Sequence, residues 1–215
     1  MSPVMDCTTE EGQAQGITAA AEAVRRGELV VLPTDTVYGI GADAFAPDAV
    51  AAVLAAKGRG RDMPPPVLVP NARTVDGLAT NVPAYARDLI EAFWPGPLTL
   101  VLVAQSSLMW DLGETNGTVA LRMPQDDTAL KLLAEVGPMA VTSANVSGQP
   151  PATTILEAAS QLGSAVTVYL DAGPCAGALP STILDCTGVA PLILRAGAVS
   201  AGQLQQVLGD VELGN

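Results

Sequence analysis

The segment Leu29-Val30-Val31-Leu32 reads as a buried strand, and Pro33 ends it by removing a donor from the hydrogen-bond ladder. A dense polar run follows at once: Thr34-Asp35-Thr36-Val37-Tyr38-Gly39-Ile40-Gly41. Open α/β sheets bind ligands at such strand ends. Read alone, the run is equally a tight turn rich in capping residues, with Gly39 and Gly41 supplying backbone freedom. Either way, a core strand stops abruptly at polar chemistry.

The same pattern recurs along the chain. Apolar periodicity predicts helices over 17–26, 47–56, 83–93, 128–136, 155–162 and 200–208. Gly27, Gly58 and Gly137 stop the first, second and fourth, Pro47 opens the second, and Thr153 or Thr154 is placed to cap the fifth. Strands are expected over 29–32, 67–69, 98–104, 118–122, 139–142, 166–170, 182–184 and 192–194. Strands interleaved with helices imply a single layered α/β domain with a mixed sheet. No repeat or linker divides the 215 residues, so 1–215 reads as one domain with its core at about 17–208. Hydrophobic residues make up 49% but aromatics only 3%, which leaves the core to Ala, Val, Leu and Ile.

Several functions are excluded early. No stretch approaches the ~20 apolar residues of a membrane span. Asp6, Glu10 and Glu11 stand where a signal peptide needs basic and then apolar residues. Cys7, Cys175 and Cys186 form no Cys-x-x-Cys pair, and the chain has no histidine, which removes a zinc site and histidine acid–base catalysis. A cytoplasmic protein with reduced thiols is expected. The formal charge of −12 opposes broad nucleic-acid binding.

Half of the ten basic residues nevertheless sit beside Gly or Pro at element ends: Lys57, Arg59, Arg61, Arg122 and Arg195. They fall within or near five polar clusters: Thr34 to Gly39, Lys57-Gly58-Arg59, Arg122-Met123-Pro124, Thr142 to Gly148, and Ile193 to Gly197. Singly, each has a plainer reading. Lys-Gly-Arg suits a solvated helix end, Arg122 a surface ion pair with Asp126 or Asp127, Ser143-Ala144-Asn145 a turn or cap, and Tyr38 a packing residue. Trp94-Pro95-Gly96-Pro97 reads as a rigid corner. Together the clusters supply cations, hydroxyls and amides without a nucleophile–base pair. Such a set binds and orients anions, as in phosphoryl or nucleotidyl transfer.

Seven motifs in order carry a resemblance: Pro33-Thr34-Asp35-Thr36-Val37-Tyr38-Gly39, Lys57-Gly58-Arg59, Trp94-Pro95-Gly96-Pro97-Leu98-Thr99, Arg122-Met123-Pro124, Ser143-Ala144-Asn145-Val146-Ser147-Gly148, Pro180-Ser181-Thr182-Ile183 and Leu194-Arg195-Ala196-Gly197. The chain resembles the YrdC-like family, the threonylcarbamoyl-AMP synthases, over nearly its whole length. The resemblance implies a twisted α/β sheet with an open, concave, positively charged cleft. It implies that L-threonine, bicarbonate or carbon dioxide, and ATP give threonylcarbamoyl-AMP and diphosphate. Separate transferase proteins then modify the tRNA adenosine beside the anticodon. Threonine is expected at Thr36, Arg122, Thr142 and Ser181, and ATP at Arg59, Thr118, Ser143, Ala144, Asn145 and Arg195. Lys57 and Arg59 are expected to serve the phosphates and catalysis, with magnesium arriving on ATP and no dedicated carboxylate cage.

The chain also departs from the family pattern. Gly60 and Met63-Pro64-Pro65-Pro66-Val67 replace a Pro and Pro-Leu common in relatives. No His stands near Leu68, Ala196 replaces a common Pro, and Ala152 stands where a Ser touches ATP in some members. The length beyond Arg195 matches the short, one-domain members. Among rivals, dihydroxybutanone-phosphate synthase needs a histidine. A hydrogenase-maturation carbamoyltransferase needs zinc-finger segments for which cysteines are lacking. An RNA-binding translation factor is opposed by the −12 charge and the few aromatics.

Overall fold

The computed structural model describes residues 2–175, 177 and 179–214. In chain order the elements are β1 (Val4–Asp6), α1 (Glu10–Arg25), β2 (Val30–Leu32), β3 (Gly39–Asp43), α2 (Pro47–Ala56), β4 (Val67–Leu68), α3 (Val75–Leu78), α4 (Ala84–Phe93), β5 (Leu98–Val103), β6 (Thr118–Arg122), α5 (Asp127–Val136), β7 (Met139–Ser143), α6 (Ile155–Leu162), β8 (Val168–Asp171), β9 (Thr182–Asp185), β10 (Leu192–Arg195) and α7 (Ala201–Leu208). The strands form one mixed sheet in the order β1-β8-β2-β3-β7-β4-β6-β5-β9-β10. This is the α/β class that the interleaved pattern implies.

Alternation along each strand decides which layer it packs against. Val30 and Leu32 join Leu132, Leu133 and Ala20 beneath α1 and α5, whereas Val31, between them, joins Val53 and Ile155 beneath α2 and α6. This half of the sheet is covered on both faces. In the other half, Leu98, Leu100 and Leu102 of β5 pack with Leu89 of α4 and Leu204 of α7. Their neighbours Thr99 and Val101 line an open cleft instead. The uncovered face of this half-sheet is the cleft floor.

Helix ends follow capping chemistry. Asp126 accepts from the Ala129 backbone at α5, and Thr154 with Glu157, and Ser200 with Gln203, form capping boxes at α6 and α7. The first helix starts at Glu10, seven residues before the predicted 17, because Thr9 caps it and Gly12 hides the signal. A Cβ at Gly12 would run into the Asp6 carbonyl oxygen, so this helix-weakening residue serves close packing on β1. Strand β1 itself, only three residues, leaves no pattern to read.

The larger correction concerns Gly39 and Gly41. They lie in a central strand, β3, between β2 and β7, not in a turn. Neither has positive φ. A Cβ at either position would meet the Val141 side chain at 2.6 Å, so both glycines make room for Val141 rather than bend the chain.

Candidate anion-binding cleft

A cleft of about 800 Å³ opens where β3, β7, β6, β5, β9 and β10 end. Thr36, Lys57, Arg59, Thr118, Arg122, Thr142, Ser143, Asn145, Ser181 and Arg195 all line it. Ten of the eleven expected site residues are therefore brought together from six separate stretches of sequence. Ala144 is the exception: it is wholly buried, and its N–H donates to the Tyr38 carbonyl at 2.8 Å.

Arg122 ends β6 and is 6% exposed. Its Nε donates to the Gly96 carbonyl at 3.0 Å, Nη1 to Thr36 Oγ1 at 3.1 Å and Nη2 to Asp35 Oδ1 at 2.6 Å. The surface pair with Asp126 or Asp127 is not formed; Asp126 caps α5 and Asp127 pairs with Lys131. Burial pulls the Arg122 guanidinium below its ordinary range, opposed by the adjoining Asp35 carboxylate. A guanidinium carries five N–H groups, so two remain for a ligand. The corner at Trp94-Pro95-Gly96-Pro97 is structural, as expected, with a cis Trp94–Pro95 bond. Gly96 also supplies the carbonyl that aims Arg122.

Around the arginine stand hydroxyls already tied to one another. Thr34 Oγ1 and Thr36 Oγ1 are 3.0 Å apart, and Thr34 donates to the Val37 carbonyl. Thr99 Oγ1 and Ser181 Oγ are 2.9 Å apart. Arg195 donates to the Ser181 carbonyl from Nε and Nη2, and to Ser181 Oγ from Nη2. Arg59 Nη1 donates to Thr142 Oγ1 at 3.0 Å. Burial lowers the pKa of both Arg59 and Arg195, and for Arg195 the charges of Arg122 and Arg59 add to the effect. Three guanidinium groups thus converge on one opening.

Lys57 differs from the expectation that it faces phosphates. It is 2% exposed, and Nζ donates to the main-chain oxygens of Ser143 and Asn145 and to Asn145 Oδ1. An ammonium has three N–H groups, and these three oxygens occupy them. Lys57 thereby anchors the loop after β7 from below. Burial, with the neighbouring charge of Arg59, lowers its pKa to about 8. Arg61, named above only among the basic residues at element ends, points outward and pairs with exposed Asp111. Tyr38 is fully buried and donates to the Gly173 carbonyl at 2.6 Å, which fits its packing role.

Sequence patterns assign no site role to Thr34, Thr99, Pro64, Pro65, Pro66 or Val141, all of which line the cleft. Thr99 is detectable as a polar residue inside the apolar run of β5. The three prolines belong to the segment that departs from the family pattern.

Among the described residues, the sheet-floored cleft brings together converging arginines and bound hydroxyls without an acid–base dyad, an arrangement suited to holding small anions side by side. A family model described as telomere recombination, for Sua5, YciO and YrdC, matches residues 22–197. The chain belongs to this Sua5/YciO/YrdC family. A Mycobacterium tuberculosis relative is 56% identical over 97% of this chain and 96% of its own length. A Bacillus subtilis relative, named threonylcarbamoyl-AMP synthase, is 38% identical over 92% of this chain and 58% of its own. The solved Pyrococcus abyssi Sua5 complexed with L-threonine has a TM-score of 0.93 at 33% identity, covering 99% of this chain and 62% of that one. The chain therefore spans about three fifths of those two longer proteins.

Proposed function

We propose that the chain is an L-threonylcarbamoyladenylate synthase. It joins L-threonine, bicarbonate or carbon dioxide, and ATP into threonylcarbamoyl-AMP with release of diphosphate. The observation that carries this reading is one cleft with two unlike kinds of arginine. Arg122 is held rigidly by Asp35 beside Thr36, a fork for a single carboxylate. Arg59 and Arg195 face the opening with only neutral acceptors, which suits a polyphosphate. The relatives named threonylcarbamoyl-AMP synthase and the Sua5 complex with L-threonine support it.

The chemistry asks little of acid–base groups. Threonine's amine adds to carbon dioxide to form a carbamate, and the carbamate oxygen attacks the α-phosphorus of ATP as diphosphate departs. The nucleophile is already anionic, so holding both substrates in line supplies most of the acceleration. Arg59 and Arg195 stabilise charge on the phosphates, and Lys57 acts by positioning the Ser143–Asn145 loop. The described residues contain no group of three or more acidic, Cys or His side chains placed to hold a metal. In this proposal magnesium enters on ATP.

The product passes to separate transferase proteins that modify tRNA, and this protein itself does not hold tRNA tightly. No described helix is long and apolar enough to cross a membrane. Diphosphate release, measured with threonine, bicarbonate and ATP omitted in turn, tests the reading. Release must require all three; release that ignores threonine or bicarbonate overturns it.

A further inference from the structure

Among the described residues, Arg122 is the one cleft arginine with a carboxylate partner. Its Nη2 lies 2.6 Å from Asp35 Oδ1, and the two side chains are 8% and 12% exposed. The same Oδ1 accepts the Gln125 backbone N–H at 2.9 Å, so Asp35 fixes both the guanidinium and the chain leaving β6. Asp35 Oδ2 is buried with no hydrogen-bond partner. Arg59 and Arg195 have no ion-pair partner among the described residues; Arg59 bonds Thr142 Oγ1, and Arg195 bonds Ser181.

We infer that Asp35 is a specificity-determining residue that sorts two anionic substrates between the arginines of one cleft. The inference rests on the functional reading above. A polyphosphate is drawn chiefly by uncompensated positive charge, whereas an amino-acid carboxylate is recognised by paired, directed N–H groups. The Asp35 carboxylate cancels the charge of Arg122 without occupying its last two N–H groups. Asp35 lines a separate hollow with Pro33, Gln125 and Asp126 and not the cleft itself, so its charge acts on the cleft through Arg122. Diphosphate and the ATP tail are thus left to Arg59 and Arg195, and threonine keeps its own seat. Without this device, the diphosphate released in each turnover would compete with threonine at Arg122. Asp35 is not a catalytic residue, because it acts through Arg122.

Equilibrium dialysis of labelled L-threonine against inorganic diphosphate tests this, using wild-type protein and Asp35→Asn. The asparagine Oδ1 can still accept from Arg122 and Gln125, so the substitution removes charge while keeping shape. In the wild type, diphosphate sufficient to block ATP should leave threonine binding unchanged. In Asp35→Asn, diphosphate should displace threonine competitively, at least tenfold more effectively than in the wild type. Competitive displacement in the wild type overturns the inference, as does a variant equally insensitive to diphosphate. If circular dichroism shows that Asp35→Asn does not fold, the wild-type result decides alone. Failure of the wild type to bind threonine at all overturns the functional reading itself, an outcome distinct from threonine binding with the wrong competition pattern.

Discussion

Lys57 and Asn145 are joined twice: Nζ donates to the main-chain oxygen of Asn145 at 2.6 Å and to its Oδ1 at 3.3 Å. A third contact runs to the Ser143 carbonyl, and the Ser147 N–H returns to the Lys57 carbonyl at 2.9 Å. Asn145 Nδ2 then bonds the carbonyls of Val146 and Gln149. The end of α2 and the loop after β7 are therefore one hydrogen-bonded unit around a buried cation. Two motifs 86 residues apart act as a single wall of the cleft.

The first prediction concerns this cation. Lys57→Met removes the donor to the Ser143 and Asn145 oxygens, at about 1–3 kcal/mol for each oxygen left buried and unpaired. Relief of a costly buried charge offsets part of that loss, and the variant should still fold. It should raise the KM for ATP at least tenfold by releasing the Ser143–Asn145 loop, with threonine binding measured without nucleotide little changed. Collapse of threonine binding with ATP use intact would show that Lys57 serves threonine instead.

The same group sets a pH dependence. Its folded pKa is lowered from 10.5 to about 8. Between those values the unfolded chain binds more protons, so this lysine makes stability rise with pH through that window. Cys7, raised to about 11, and Cys186 and Tyr85, each raised to about 12, act oppositely above about pH 9. The difference between wild type and Lys57→Met isolates the lysine. Urea midpoints at pH 7.5 and 9 should show the wild type gaining relative to the variant. Turnover should fall over the same range, because a neutral amine offers two N–H groups to three oxygens. A flat difference would place the titration elsewhere.

Arg122→Lys should not be conservative. Lysine's point charge cannot satisfy Gly96, Thr36 and Asp35 while presenting two parallel N–H groups to a carboxylate. Losing one charge-assisted hydrogen bond costs roughly 1.5–3 kcal/mol, about ten- to a hundred-fold in threonine affinity. ATP binding should stay within about twofold. Threonine titration by calorimetry checks this, and an unchanged threonine affinity removes Arg122 from the site.

Arg59→Ala should have the complementary effect. It deletes a cation that, among the described residues, bonds only Thr142 Oγ1 and faces the opening. The KM for ATP should rise about ten- to a hundred-fold, the cost of one charge-assisted bond to phosphate. Thr142→Val removes the acceptor but keeps the cation, so its ATP defect should be smaller. Equal defects in both variants would mean that Arg59 matters only for its bond to Thr142.

The layered fold was legible because most helices carry an apolar face and are bounded by a glycine or a capping side chain; 47–56, 118–122 and 155–162 match the observed α2, β6 and α6 without adjustment. Strand β3 was hidden because its glycines carry no side-chain pattern, and their reason, Val141, lies about 100 residues further on. The site was legible as a set of residues, since polar clusters at strand ends announce themselves locally. The allocation of donors was not. That Lys57 turns inward, and that Asp35 rather than Asp126 holds Arg122, depends on contacts between segments distant in sequence.

Gly197 makes the last prediction. A Cβ there would run into the Pro180 carbonyl oxygen and lie 2.5 Å from the Ser181 carbonyl carbon and 2.6 Å from the Thr182 nitrogen. These are backbone atoms, so no side-chain rotation relieves the contact. The turn after β10 lies directly on the backbone that Arg195 grips through the Ser181 oxygen, and Ala198 N–H bonds the Pro180 carbonyl at 3.0 Å. Gly197→Ala must push Ser181 away or lift the turn, an overpacking cost of about 1–3 kcal/mol. For a domain of this size the melting temperature should fall by about 2–4 °C per kcal/mol. Because Ser181 sits between Thr99 and Arg195, its displacement should also weaken threonine binding severalfold at temperatures where the variant is fully folded. Gly202, in the exposed first turn of α7, has nothing within 4 Å of where an added methyl would stand and supplies the control. Gly202→Ala should be neutral or stabilising by a few tenths of a kcal/mol. A Gly197→Ala protein that melts with the wild type and binds threonine equally well would show that Ser181 is not held by this contact.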